Sequence, residues 1–279
     1  MAQGNQIELI KSIRERTGAG MMDCKHALEE CDWDIEKAID LLREKGIAKQ
    51  AKRAGRTASE GLTTIKVCDK CGAAVIVETN CETDFVAASD KFIAFSNTVA
   101  EKVLKNKPAT IEEAKELVAG DLNDCALACG EKLDFRRYQI FQKEEGQAYG
   151  TYSHMAGKIG VIVVLSKDDP EVSKPIAMHI AANSPLYINL DNVPAADRER
   201  EKNIALAEVH DDPKLANKPE AMLANIVERK VDKVLSQSCL ALQPFLLDDS
   251  KTVGQFLKEK GIEVISFVRY QVGEGIVKE

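Results

Sequence analysis

The chain has 279 residues, 44% of them apolar and 30% charged, which are ordinary globular values with room for two or three domains. No apolar run approaches the roughly 18 residues that a membrane span needs, and a net charge of −7 argues against general nucleic-acid binding, which rests on clustered Lys and Arg. The N-terminal "MAQGNQIELIKSIRERTGAG" has neither a secretory signal nor a transit-peptide pattern, so a cytoplasmic protein with no membrane or nucleic-acid partner is expected.

Residues 1–46 read as three short helices that make a compact bundle. Ile10 and Ile13 mark the first, "TGAGMMD" breaks it, and Cys24, Ala27, Leu28 and Cys31 give the second its apolar face. In the third, Asp32 is the expected N-cap, Ile35, Ala38, Ile39 and Leu42 follow the spacing of a one-sided helix, and Gly46 closes it. Residues 47–58 form a basic linker. Lys45 just before it and Lys49, Lys52, Arg53 and Arg56 within it read as a solvated linker or helix extension, with an electrostatic docking strip as the other reading.

Region 59–142 opens with two strand-like runs, "LTTIKV" and "GAAVIVE", joined by a tight turn. A helix with Phe92, Ile93, Val99, Val103 and Leu104 on its buried face follows, then the helical "TIEEAKELVAG" and the strand "LDFRRYQIF". Eight cysteines in a chain this long need not build a disulfide framework. Cys68 and Cys71 form a C-x-x-C, but no second such pair supplies the other ligands a structural zinc requires. They are expected to be ordinary thiols flanking a hairpin tip, with metal and redox roles as lesser alternatives.

The design then repeats. "AYGTYSHMAGKIGVIVVLS" is again a hairpin whose second strand opens with Gly, "PIAMHIAANSP" is again a helix, and "FVRYQV" echoes "FRRYQI". Gly72 to Gly160 is a shift of 88 residues and Tyr138 to Tyr270 a shift of 132, so the second copy holds about 44 extra residues. They fall at 193–236, where two helical runs flank the Pro-bounded "DDPKLANKP" and Leu223, Ile226, Val227, Val231 and Val234 make a seam: an inserted helical arm. The second core subdomain is thus split into 143–192 and 237–279. Strands that come in hairpins make the class α+β, with an N-terminal three-helix bundle, a duplicated antiparallel-sheet-plus-helix core and the arm.

Motifs for bound nucleotide and for two common hydrolases, G-x-x-x-x-G-K-[ST], G-x-S-x-G and H-E-x-x-H, do not occur. His26, His154, His179 and His210 are scattered among different elements and read as structural or exposed; "YSHMAGK" puts His154 near a hairpin turn. One stretch stands out. In "NCETDFVAASDKF" a bulky Phe85 sits on a strand-to-helix connection, either as a hydrophobic staple on the helix it precedes or as an exposed contact. The matching connection of the second copy, "SKDDPEVSKPIAMHI", has no aromatic, so the duplicated fold does not require one.

The segments "LIKSIRERTGAGMMDCKHAL", "DIEKAIDLLREKG", "NCETDFVA", "IAMHIAA" and "SKTVGQFLKEKGIEVISFVRYQVGEGI" resemble, in order and over nearly the whole chain, the bacterial elongation factor Ts family. The resemblance implies a ubiquitin-associated-like bundle and a coiled-coil arm. It also implies a guanine nucleotide exchange factor that binds elongation factor Tu in its GDP-bound and nucleotide-free forms and speeds GDP release. Such a protein is not an enzyme, needs no cofactor or metal, and holds no nucleotide directly. The family motif falls on Thr83, Asp84, Phe85 and Val86, with Phe85 as the wedge that disturbs magnesium and phosphate binding in the partner. Met21 and Met22 match an N-terminal contact, for which core packing is the other reading. Cys129 and Gly130 match a contact toward the partner's third domain, and His154 one near its phosphate-binding loop. Cys129 departs from the branched apolar residue common in the family. The sequence also stops soon after "GEGIVKE", where some members continue into a further helical module, so no contribution from that module is expected.

Overall fold

The computed structural model describes residues 3–211 and 218–277, apart from the side chains of 3–5, 47 and 49–51. The chain divides into two compact units, one of Met1–Gln142, Ser153–Gly160 and Tyr270–Glu279, the other of Lys143–Tyr152 and Val161–Arg269.

The first unit begins with a bundle of α1 (Gln3–Thr17), α2 (Met21–Glu30) and α3 (Ile35–Lys52). Ile13, Cys24, Ala27, Leu28, Ala38 and Leu42 fill its centre, as the apolar spacing requires. Asp32 is not the cap of α3. It and Trp33 take left-handed backbone angles in the turn, with φ 51° and 66°, and Asp34 instead accepts the Lys37 N–H at 3.1 Å. Nor does Gly46 end the helix, which runs on to Lys52. The basic segment is therefore partly a helix extension, with the Lys49 side chain outside the described residues.

Next comes an antiparallel sheet of β1 (Glu60–Cys68), β2 (Ala73–Cys81) and β3 (Asp134–Gln142), ordered β1-β2-β3. Its first ladder is in register from Glu60↔Cys81 to Cys68↔Ala73. β2 lies in the middle and is buried along its whole length. Hence its first five residues, 73–77, are continuously apolar where a half-exposed strand would alternate, and the buried polar Glu78, Thr79 and Asn80 that follow are met by hydrogen bonds. Between β2 and β3 come α4 (Asp84–Ala87), α5 (Asp90–Asn106) and α6 (Ile111–Cys129). Ser89 and Thr110 cap the two long helices, and Phe92, Phe95, Val99 and Val103 of α5 pack with Val75 and Val77 of β2. Ile93 is 39% exposed, so Phe95, two residues on, completes the buried face expected of it. Gly46 of α3 lies buried against Leu127 of α6, which joins the bundle to the sheet layer.

Cys68 and Cys71 are not two separate thiols. Their sulfurs are paired across the turn, with Cα atoms 5.6 Å apart.

The second unit is built around β4 (Ala148–His154) and β5 (Ile159–Leu165), a hairpin whose tip, 153–160, belongs to the first unit. Helix α7 (Pro170–Asn183) starts ahead of the "PIAMHIAANSP" segment because Asp169 caps it, accepting the Glu171 N–H at 2.9 Å. Helices α8 (Ala195–Asp211) and α9 (Glu220–Gln237) form the arm; the turn expected between them falls at 212–217, outside the described residues. Ala205, Val209, Val227, Val231 and Leu235 make the seam, whereas Val234 is 49% exposed. Arg198 reaches Asp232 at 2.7 Å and Lys230 reaches Glu208 at 2.8 Å across it. A small ribbon of β6 (Pro244–Phe245) and β7 (Asp248–Thr252), then α10 (Val253–Lys260), leads to β8 (Val264–Gln271), which lies beside β5 in the sheet order β4-β5-β8.

Candidate partner-binding surface

Strand β2 ends at Cys81, and two residues later Thr83 stops the extended backbone by capping α4, accepting the Val86 N–H at 3.3 Å. Over this single turn the side chains part company. Ala87 is buried and Val86 packs partly on the core, whereas Asp84 is exposed and Phe85 is 84% exposed. The staple reading of Phe85 is thereby overturned. An exposed Phe forgoes about 1.5–3 kcal/mol of burial, and nothing in the turn requires an aromatic there.

The turn is held on three sides. Glu131 accepts the N–H groups of Glu82 and Thr83 through Oε2, both at 3.0 Å, and the Thr83 hydroxyl through Oε1 at 2.6 Å. Glu82 in turn accepts the Lys132 N–H at 2.6 Å and pairs with Arg56 at 3.2 Å, while Lys132 Nζ donates to the carbonyls of Ala54 and Arg56. Below, Ser89 donates to the Val86 carbonyl at 2.7 Å. Gly130 makes this possible: with φ 76° it ends α6 in the left-handed conformation and directs Glu131 back toward Thr83. Glu131, Lys132 and Ser89 were not singled out in the sequence. The helix-ending Gly130 was the available signal, but a pairing across 48 residues leaves no local trace.

Cys129, half-buried, precedes that glycine, with its sulfur 3.8 Å from that of Cys125. The hydrogen bond from the Cys125 thiol lowers the Cys129 pKa to about 7, helped by the Lys91 ammonium and opposed by burial; the Cys125 pKa rises. Met21 and Met22 are exposed at the start of α2, which answers the alternative of core packing. The α1–α2 turn that leads to them packs closely on α5 and α6: a Cβ on Gly18 would meet Lys91 Nζ and Ala128 Cβ at 2.9 Å. His154 is exposed near the β4–β5 tip. That tip is fixed to β1, whose Thr63 donates both its N–H (2.7 Å) and its hydroxyl (2.8 Å) to the Gly157 carbonyl, while Lys158 pairs with Glu60 at 2.7 Å. Glu60 is the register partner of Cys81, so the tip is anchored at the same end of the sheet as the Phe85 turn.

One end of the first unit therefore displays Met21, Met22 and Phe85 from separate elements tied to a rigid frame, a form suited to docking a protein partner. Among the described residues no group of three or more His, Cys, Asp or Glu is arranged to hold a metal, and no helix is long and apolar enough to cross a membrane.

Comparison with known proteins agrees with the architecture. Residues 5–49 match a UBA-like domain, which corresponds to the α1–α3 bundle. Residues 82–274 match the family described as Elongation factor TS. The chain is 41% identical over 276 residues to an elongation factor Ts of Lactiplantibacillus plantarum, covering 97% of this chain and 92% of that one. It is 43% identical over 277 residues to one of Oenococcus oeni, covering 97% and 93%. With a family match over most of its length and relatives of this identity at nearly full coverage, the chain belongs to the elongation factor Ts family.

Proposed function

We propose that this protein is a guanine nucleotide exchange factor for elongation factor Tu and that Phe85 is the wedge it drives into that GTPase. Family membership supports the role in translation elongation. The observation that carries the residue is the 84% exposure of Phe85 on a turn whose every other anchor is satisfied. A rigid aromatic brings large contact area at little cost in rotamer entropy. Mg2+ requires near-octahedral coordination, so displacing the partner's backbone by a fraction of an ångström loosens the ion and the diphosphate it holds.

Thr83 positions the turn, Asp84 presents an exposed carboxylate that orients polar groups of the partner, and Val86 anchors the turn to the core. Met21, Met22, Cys129, Gly130 and His154 extend the contact. No covalent bond is made or broken. The work is a coupling free energy: by as much as this chain weakens GDP, GDP weakens this chain.

Release of fluorescent GDP from elongation factor Tu tests the reading. Catalytic amounts of the wild-type chain accelerate it, and Phe85→Ala lowers the acceleration at least about tenfold, or about 1.4 kcal/mol, with an unchanged far-UV spectrum. A Phe85→Ala protein as active as wild type overturns it, as does one that unfolds.

A further inference from the structure

The nine residues of β2 separate two ends of the first sheet: the Phe85 turn follows Cys81, and the C-x-x-C turn precedes Ala73. At about 3.3 Å per residue the two ends lie about 30 Å apart. None of the residues proposed above for the exchange reaction lies at the far end.

What is found there suits chemistry better than packing. The Cys68–Cys71 bond spans a sequence separation of 3, and short loops take the least freedom from the unfolded chain. The ladder between β1 and β2 is already in register as far as Cys68↔Ala73, so the bond fastens nothing the strands leave loose. It is also reachable, with Cys71 exposed and Cys68 half-buried. Lys66, Lys105 and Lys107 line the same recess as the two cysteines; Glu101 lines it too and pairs with Lys66 at 3.0 Å, which leaves an excess of positive charge, and such a partly exposed setting favours a reactive thiolate. The two sulfurs are not equivalent. The Cys71 N–H donates to Cys68 Sγ at 3.3 Å, which stabilises negative charge on Cys68.

We propose that Cys68 and Cys71 are a surface dithiol–disulfide pair that exchanges with small thiols and dithiols, Cys71 being the sulfur attacked and Cys68 the leaving group. In the reducing direction a thiolate RS⁻ attacks Cys71 Sγ, the bond between the two protein sulfurs breaks, and its electron pair leaves on Cys68 Sγ beside the Cys71 N–H. A second RS⁻ then attacks the sulfur of R in the mixed disulfide and frees Cys71. The products are RSSR and two protein thiols, whose protons come from the two RSH consumed. A structural zinc is a poorer occupant, because it takes four protein donors and this turn offers two.

The test is mass spectrometry of the intact chain equilibrated with mixtures of reduced and oxidised glutathione. Two thiols should appear together at an intermediate ratio and disappear when it is reversed, and peptide mapping should place both on Cys68 and Cys71. Cys71→Ser, which keeps the residue-71 N–H on Cys68 Sγ, should take up one glutathionyl group from oxidised glutathione at neutral pH several-fold faster than Cys68→Ser does at Cys71. Both variants should release GDP from elongation factor Tu at the wild-type rate. A pair locked in one state across all ratios overturns the proposal. So do equal rates for the two variants, or zinc that co-purifies on both thiols. Thiol mass is read without the GTPase, so a failure of the Phe85 reading would not alter this result.

Discussion

His179 is fully buried and uses both ring nitrogens: Nδ1 accepts the Leu246 N–H at 3.2 Å, which leaves Nε2–H to donate to Gln243 Oε1 at 2.9 Å. Burial lowers its pKa, with the Gln243 hydrogen bond opposing. The unfolded chain, with an ordinary His pKa of about 6.5, therefore binds this proton before the native state does. Stability is complete above that value and falls as pH drops below it toward the native pKa. Urea unfolding at stepped pH should show this decline in the second unit, and His179→Gln should flatten it; an unchanged slope refutes the assignment. In sequence, His179 looked like His26, His154 and His210, all scattered, because burial and a partner 64 residues away are not local properties. Phe85 was different: its oddity could be seen because the duplicated copy lacks an aromatic. Which way the ring points depended on the single helical turn that follows, too short to show a periodicity.

Among elements, the connection from α6 to β3 does most to shape the candidate site. Glu131 accepts three hydrogen bonds from Glu82 and Thr83, and bonds to a charged acceptor contribute about 1.5–3 kcal/mol each. Glu131→Gln keeps the shape and removes the charge. Amide hydrogen exchange at Glu82 and Thr83 should then rise about tenfold or more, and stimulation of GDP release should fall although Glu131 itself need not touch the partner. Unaltered protection of those two amides would show that the turn is held by other means. The long elements themselves were legible, since α3, α5 and α9 carry clear spacing and β1 and β2 a turn signal. Errors fell at their edges. Asp34 displaced Asp32 as cap because Asp32 and Trp33 adopt left-handed angles, and Leu235 displaced Val234 in the arm because facing α8 fixes the rotation of α9.

For the molecule as a whole, the crossing of the chain between units matters most. The first unit is closed by its return at 270: Gly273 donates its N–H to the buried Glu78 at 2.8 Å, beside Arg136 and Arg137, and Arg137 lies over the Tyr270 ring at 4.1 Å. A chain that stops after Arg269 loses a bond to a buried carboxylate and a buried Tyr, together about 3–6 kcal/mol. Amides of β2 should lose protection in that truncated protein; if they keep it, the closing segment is dispensable.

The same return sets a timetable. A ribosome makes about 5–20 residues per second, so roughly 6–25 s pass between the emergence of β3 and that of residue 270. Throughout that interval Glu78 waits without the Gly273 amide. Arg136 and Arg137 hold that carboxylate meanwhile, and the exchange factor that serves protein synthesis acquires its own finished shape only near the end of its own.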